Sequence, residues 1–286
     1  MTDGVFILGA GRAGRGLSRA LRASGIDVIG LHGRRVELEP DVVTAGPLPA
    51  AVAGATVVIV AVRDGQLDEA LGELAAARLG DGAVILHASG SAEPVGLEPL
   101  RAAGHPCGTF HPLVPLADPS RAAELLRGAW IGIDGDRGAL DAAERLAERM
   151  GAHTLRIPAG GKAPYHAAAV FASNFPTVLA AVAAQLLVSV GIGEHDAWGA
   201  IRALMRGAVS NLDDATPVHA LTGPIARGDA GTVRKHLDAL ASQPGTRALY
   251  TTLSLAAVEL ARRGGTSGEA LGEISRLLGE SATRRG

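Results

Sequence analysis

The chain has 286 residues, 27 Lys and Arg against 29 Asp and Glu, and 47% hydrophobic residues with only 3% aromatic. The length fits two ordinary domains of ~100–150 residues, and a formal net charge of -2 argues against a nucleic-acid partner held by a large positive field, leaving a small molecule as the expected one. A core so poor in rings must be built from Ala, Val, Leu and Ile in close-packed layers, which favours helices against a parallel sheet.

The first predicted strand, "GVFILGA", runs into Gly9, Gly11 and Gly14 in a G-x-G-x-x-G spacing, and the helical pattern "GRGLSRALRASG" follows at once. In such a unit the first glycine makes a tight turn, the second leaves room for a pyrophosphate, and the third lets helix and strand pack closely. Arg12 and Ala13 fall in the turn at the helix N-terminus, where unpaired N–H groups favour phosphate. These five residues are the predicted dinucleotide cradle.

The second strand, "IDVIGLH", ends at His32-Gly33-Arg34-Arg35. A site that prefers NAD places a carboxylate here to accept hydrogen bonds from the adenosine ribose. This chain has two guanidinium groups instead, which pair with phosphate oxygens, so Gly33, Arg34 and Arg35 point to NADP. The competing reading is a pair of solvated loop arginines.

The third strand, "ATVVIVAV", leads into "AVRDGQ". Arg63 or Gln66 is placed to touch the cofactor, and Asp64 is expected to cap the next helix. The fourth strand, "GAVILHAS", carries His87 and Ser89 at its carboxyl end, and the fifth, "CGTFHPL", carries His111 at its own. Ligand crevices in open α/β sheets lie outside those ends. Cys107, the one cysteine, reads as a small core residue rather than a nucleophile; with no disulfide framework possible, the expected compartment is the cytosol.

Two more strands, "WIGIDG" and "HTLRI", complete the series, and the strand signal stops after "RIPAGG". The domain boundary is therefore placed at 157–161, with a dinucleotide-binding domain over 1–158 and an all-helical domain over 159–286. Residues 165–190 are almost free of charge, so their helix must be enclosed by its own domain or by a second subunit. The stretch "FPTVLAAVAAQLLVSVG" falls short of the ~20 residues of a membrane span and contains Pro176 and Gln185, so no membrane partner is expected. The N-terminus shows no positively charged leader, and "VFILGA" is too short for a signal-peptide core.

His166 heads the small, apolar segment "YHAAAVFASN". At ~100° per residue Ser173 shares its face two turns on, with Asn174 at the margin. A single histidine on an apolar face is usually a satisfied core residue. Three of them converging on one crevice with Ser89, Ser173 and Asn174 favour a substrate site. His166 is the leading acid/base, Ser173 and Asn174 orient substrate, and His111, His87 or Ser89 lie near the reacting end. No H-x-x-x-H or H-E-x-x-H pairing occurs, so no metal is expected.

A glycine-rich cofactor unit followed by "HASGS", "GTFHPL", "YHAAAVFASN" and "LTGPIARGD" resembles the Rossmann-like proteins with a DUF2520 C-terminal domain, relatives of pyrroline-5-carboxylate reductase, ketopantoate reductase and the 6-phosphogluconate and β-hydroxyacid dehydrogenases. The resemblance covers essentially the whole chain. It implies an N-terminal Rossmann domain, an all-α domain like the C-terminal part of 6-phosphogluconate dehydrogenase, an NADP-linked oxidoreductase, and a homodimer through the helical domain. The β-hydroxyacid dehydrogenases place a catalytic Lys and, four residues on, an Asn at the start of the interdomain helix. Here His166 stands four after Lys162, and Pro164 places Lys162 just before the helix, so His166 becomes the replacement. Only the resemblance brings Thr222, Arg227 and Asp229 of "LTGPIARGD" to the crevice; their Gly-Pro and Gly-Asp pairs already mark a turn. The expected chemistry is hydride transfer between NADPH and a small oxo acid, aldehyde or imine. The alternatives are a non-catalytic NADP(H)-binding sensor or scaffold, and a deazaflavin-linked oxidoreductase.

Overall fold

A computed structural model of the chain describes residues 4–93 and 95–283, the last three of these by backbone alone. All the predicted strands form: β1 (Gly4–Leu8), β2 (Asp27–His32), β3 (Val57–Val60), β4 (Val84–His87), β5 (Cys107–Pro112), β6 (Trp130–Gly135) and β7 (His153–Arg156). Among the described residues they make one seven-stranded sheet in the order β2-β1-β3-β4-β5-β6-β7. The chain steps from β1 outward to β2 and returns to β3 on the other side of β1, so the topological switch falls just after the glycine-rich turn.

Both faces of the sheet are covered, which is why its strands read as continuous apolar runs. Helices α1 (Arg12–Ala23), α4 (Ala122–Leu126) and α5 (Arg137–Arg149) cover the face bearing Val5, Ile7, Ile59, Leu86, Phe110 and Ile133. Helices α2 (Leu67–Ala76) and α3 (Leu97–Ala102) cover the face bearing Phe6, Leu8, Val58, Val60 and Ile85. One departure from the expected parallel succession is that β6 pairs antiparallel to β5. The β5–β6 connection sends α4 against α1 instead of crossing over the sheet, so the chain returns in the opposite sense; the α5 crossover then restores a parallel β6–β7 pair.

The remaining helices are α6 (Lys162–Ser189), α7 (Glu194–Asp214), α8 (Pro217–Ala220), α9 (Ala230–Ala239), α10 (Pro244–Arg263) and α11 (Gly268–Thr283). The chain divides into two compact units, Met1–Phe175 and Pro176–Gly286, so the first fourteen residues of α6 belong to the sheet's unit. The second unit has its own core, with Val233 and Leu237 of α9, Val258 of α10 and Leu271, Ile274 and Leu278 of α11.

Two expectations about α6 are corrected. Lys162 is its first residue rather than a residue ahead of it: Pro164 stands in the first turn, whose N–H groups have no intrahelical partner to lose. At 28 residues the helix is also long and apolar enough, by length and composition, to cross a membrane, and only 11% of its most apolar window is buried. The chain itself therefore does not enclose it.

Candidate functional site

The glycine-rich turn has the shape its sequence requires. Gly9 has φ +120°, and a Cβ there would lie 2.4 Å from the carbonyl oxygen of Ala61; at Gly14 it would lie 1.7 Å from that of Gly9. Both glycines are thus compelled by backbone packing. Gly11 differs, because a Cβ there would meet nothing within 4 Å. Its missing side chain leaves open space at the N-terminus of α1, where the first turn carries no acidic residue. That is the shape and charge a pyrophosphate needs.

Beyond β2, His32 is buried and both its ring nitrogens are engaged, with Thr44 Oγ1 at 2.9 Å and the Gly46 carbonyl at 3.1 Å. It pins the loop that carries Arg34 and Arg35. Two of that loop's carboxylates are neutralised from α1: Arg15 pairs with Glu37 at 2.7 Å, and Arg19 with Asp41 at 2.9 Å. The hydrogen bond from Arg19 holds the Asp41 carboxyl below its ordinary range. Arg34 and Arg35 are exposed and have no ion-pair partner among the described residues. A Cβ at Gly33 would approach that of Ala10 to 2.7 Å, which fixes the loop against the glycine turn. Arg12 and Arg63 are exposed beside these elements, and Ala13 is half-buried.

Further along the sheet, one cross-strand row changes character. Leu8 pairs with Val60, Val60 with His87, His87 with Thr109 and Thr109 with Asp134. The apolar part of this row is sealed by α2 and α3; the polar part meets the start of α6. Thr109 Oγ1 lies 3.1 Å from His87 Nε2. Lys162 Nζ reaches Asp134 Oδ2 at 3.2 Å, donates to the Ala92 carbonyl at 2.8 Å, and lies 3.3 Å from His87 Nε2. Three partners match the three donors of an ammonium. Lys162 is buried to 3% exposure and His87 to 0%, so the expectation that His87 lines the crevice is corrected: it is packed beneath the lysine. Burial, reinforced by the Lys162 charge, lowers the His87 pKa to about 4.

Two residues on, the same face presents His111. Its Nδ1 lies 2.8 Å from the hydroxyl of Tyr165, and its ring meets that of His166 edge-on with centroids 6.0 Å apart. Burial first, and the neighbouring His166 next, push the His111 pKa down to about 4. Ser89 is buried and its Oγ accepts from the N–H groups of Ser91 and Ala92 at 3.3 and 3.0 Å, a turn-forming role. The expectation that Asp64 caps a helix is not met; its carboxylate instead accepts from Ser91 Oγ at 2.7 Å. Burial opposes this carboxylate, but hydrogen bonds from Ser91 and Ser89 and the nearby His166 leave its pKa lowered. Cys107 is a wholly buried thiol in the core, raised to about 11 by burial.

His111, His166, Tyr165, Ser91 and Asp64 thus gather at the carboxyl ends of β3, β4 and β5. Ser173 and Asn174 do not join them directly: they lie seven and eight residues beyond His166, roughly 10–12 Å along α6, and are exposed. Asp229 caps α9, accepting from the Thr232 N–H at 2.9 Å, so the turn role of "LTGPIARGD" is real. Sequence reasoning missed Tyr165, Thr109 and Asp134 and set Lys162 aside. The available signal was Asp134, the one charge inside the apolar strand "WIGIDG". Among the described residues no group of three or more His, Cys, Asp and Glu side chains is arranged to hold a metal ion.

Residues 129–257 match the model of DUF2520, a domain of unknown function. Protein TM1727 from Thermotoga maritima is 27% identical, with a TM-score of 0.69 over 91% of this chain and 98% of that one. A Bacteroides fragilis protein described as an NADP oxidoreductase is 22% identical, with a TM-score of 0.71 over 90% of this chain and 98% of that one. A pyrroline-5-carboxylate reductase from Coxiella burnetii is 17% identical, with a TM-score of 0.60 over 93% of this chain and all of that one. No curated protein matches the sequence. Over residues 129–257 the chain is similar to DUF2520, and it shares its Rossmann-like fold with the pyrroline-5-carboxylate reductases.

Proposed function

We propose that this chain is an NADP-dependent oxidoreductase acting on a small carbonyl or imine compound. The observation that carries the reading is the juxtaposition, within one unit, of a phosphate-shaped glycine turn after β1 and a histidine cluster at the carboxyl ends of β4 and β5. The described names of structural neighbours, an NADP oxidoreductase and a pyrroline-5-carboxylate reductase, support it.

Gly9, Gly11, Arg12, Ala13 and Gly14 would hold the pyrophosphate, Gly33, Arg34 and Arg35 the 2'-phosphate, and Arg63 the rim. The nicotinamide, when bound, supplies the hydride and its two electrons to the substrate carbon. What the protein adds is a proton and its placement. His166 is half-buried at the mouth of the cluster and supplies the proton to the substrate oxygen or nitrogen. Lys162 is not free to do so, since its donors are committed to Asp134, Ala92 and His87. Asn174 and Ser173 orient the far end of the substrate.

Exposed apolar side chains, Phe171 and Val178 on α6 and Leu204 and Val209 on α7, support a homodimer in which a second copy covers these helices. The test is loss of NADPH absorbance with a panel of 2-oxo acids, aldehydes and imines. Turnover abolished by His166→Ala at unchanged NADPH affinity is expected. Tight NADPH binding with no turnover on any of them would favour a sensor.

A further inference from the structure

Two glycines far apart in sequence clear the space for two rings. A Cβ at Gly90, in the loop after β4, would stand 2.7, 2.8 and 2.9 Å from Cε1, Nε2 and Nδ1 of His111, so the imidazole lies flat against the Gly90 backbone. A Cβ at Gly132, on β6 beside His111 in the sheet register, would stand 2.1 Å from the Tyr165 hydroxyl. Any side chain at either glycine would displace its ring. The Tyr165 hydroxyl has one proton and two acceptors in reach, His111 Nδ1 at 2.8 Å and the His111 carbonyl at 3.5 Å. If His111 instead donated from Nδ1, the phenol proton would be left with the 3.5 Å contact, at the limit of a hydrogen bond.

From this geometry we propose that Tyr165 is a positioning residue that donates to Nδ1 of His111, fixes the imidazole proton on Nε2, and so makes His111 a neutral hydrogen-bond donor for a carbonyl oxygen. The substrate class follows, given that the oxidoreductase reading holds. A carbonyl oxygen offers lone pairs to an N–H donor, whereas a protonated iminium offers only an N–H of its own and leaves that donor unpaired, a costly mismatch in a buried site. The site therefore selects aldehydes, ketones or oxo acids over iminium ions. His111 gives no proton away: the groups facing it are Tyr165, His166 and Lys162 from α6, Asp64 from the loop after β3 and His87 from β4. Burial and the cationic charge available to His166 and Lys162 outweigh the Asp64 carboxylate, and the ring stays neutral down to about pH 4. His166 carries the proton and His111 polarises.

The test is nitrogen-15 NMR of histidine-labelled protein without any ligand, the His111 signals being assigned by their loss in His111→Asn. The expected result is a proton on Nε2, none on Nδ1, and no titration between about pH 8 and 5. Tyr165→Phe is expected to mix the two tautomers and to raise the His111 midpoint. In turnover it is expected to lower kcat on carbonyl substrates roughly tenfold at unchanged NADPH affinity. A wild-type His111 protonated on Nδ1, or charged at neutral pH, overturns the proposal whether or not a substrate has been found. Turnover on imines but on no carbonyl overturns the substrate class, whereas a correct tautomer with no turnover on either overturns the oxidoreductase reading.

Discussion

Lys162 Nζ stands 3.2 Å from Asp134 Oδ2, joining the first residue of α6 to the sixth strand of the sheet. The lysine is buried while the carboxylate keeps 23% of its side-chain surface, so removing the ammonium strands a largely buried anion and also frees His87 and the Ala92 carbonyl. Lys162→Met is expected to cost about 3 kcal/mol, read as a lower urea midpoint at constant m. Arg137→Ala, which breaks the exposed pair with Asp141, is expected to cost under about 0.5 kcal/mol. Equal losses would mean that Lys162 does not anchor the helix.

The glycines of the turn after β1 separate folding from binding. Gly14→Ala would set a methyl group 1.7 Å from the Gly9 carbonyl oxygen, so α1 must move, and a loss of several kcal/mol is expected. Gly11→Ala meets no protein atom within 4 Å. Its thermal midpoint is expected to stay put while NADPH affinity falls, because the added methyl enters only the open space proposed for phosphate. A Gly11→Ala variant with unchanged NADPH affinity would move the binding site elsewhere.

His87 and His111 each have a folded pKa of about 4 against an ordinary 6.5, burial being the main cause in both. The unfolded chain therefore binds more protons across that window, and stability rises with pH through it. It is fully present above about pH 6.5 and is lost as the pH falls towards 4, by roughly 3 kcal/mol per buried histidine at most. Urea midpoints at intervals from about pH 7.5 down to 4.5 should drop through that range. A flat profile would contradict the buried, neutral assignment.

Phe171 is 67% and Leu204 70% exposed in the single chain, beside Phe175 and Val178 on α6 and Val209 and Leu212 on α7, and apolar exposure repeated along two long helices calls for a cover. Analytical ultracentrifugation is expected to give a dimer, and Leu204→Glu to weaken it. A monomer at micromolar concentration would leave these faces without the second copy proposed for them.

Much of this was legible in the sequence for physical reasons. Strands buried on both faces cannot hide their apolar runs, and the glycine turn has few alternatives to its spacing. The direction of β6 was not legible, because an antiparallel return and a parallel crossover bury the same residues, Ile131 and Ile133 among them. Lys162 was misread because Pro164 looks like a barrier ahead of a helix, although a proline in the first turn breaks no intrahelical bond. The pairing of Lys162 with Asp134 depends on a register of strands that pattern alone does not set. The closeness of His111 and His166 followed from placing His111 at a strand carboxyl end where the helix bearing His166 docks, but the Tyr165 contact with His111 needed coordinates.

The turn after β1 and the two loop arginines are proposed to hold NADP(H). Calorimetric titration with NADPH and NADH tests it most directly. NADPH is expected to bind at least roughly tenfold more tightly than NADH, with the difference removed in the Arg34→Ala, Arg35→Ala double variant. Absence of heat from either dinucleotide at millimolar concentration, or equal affinities unaffected by the arginines, would contradict it.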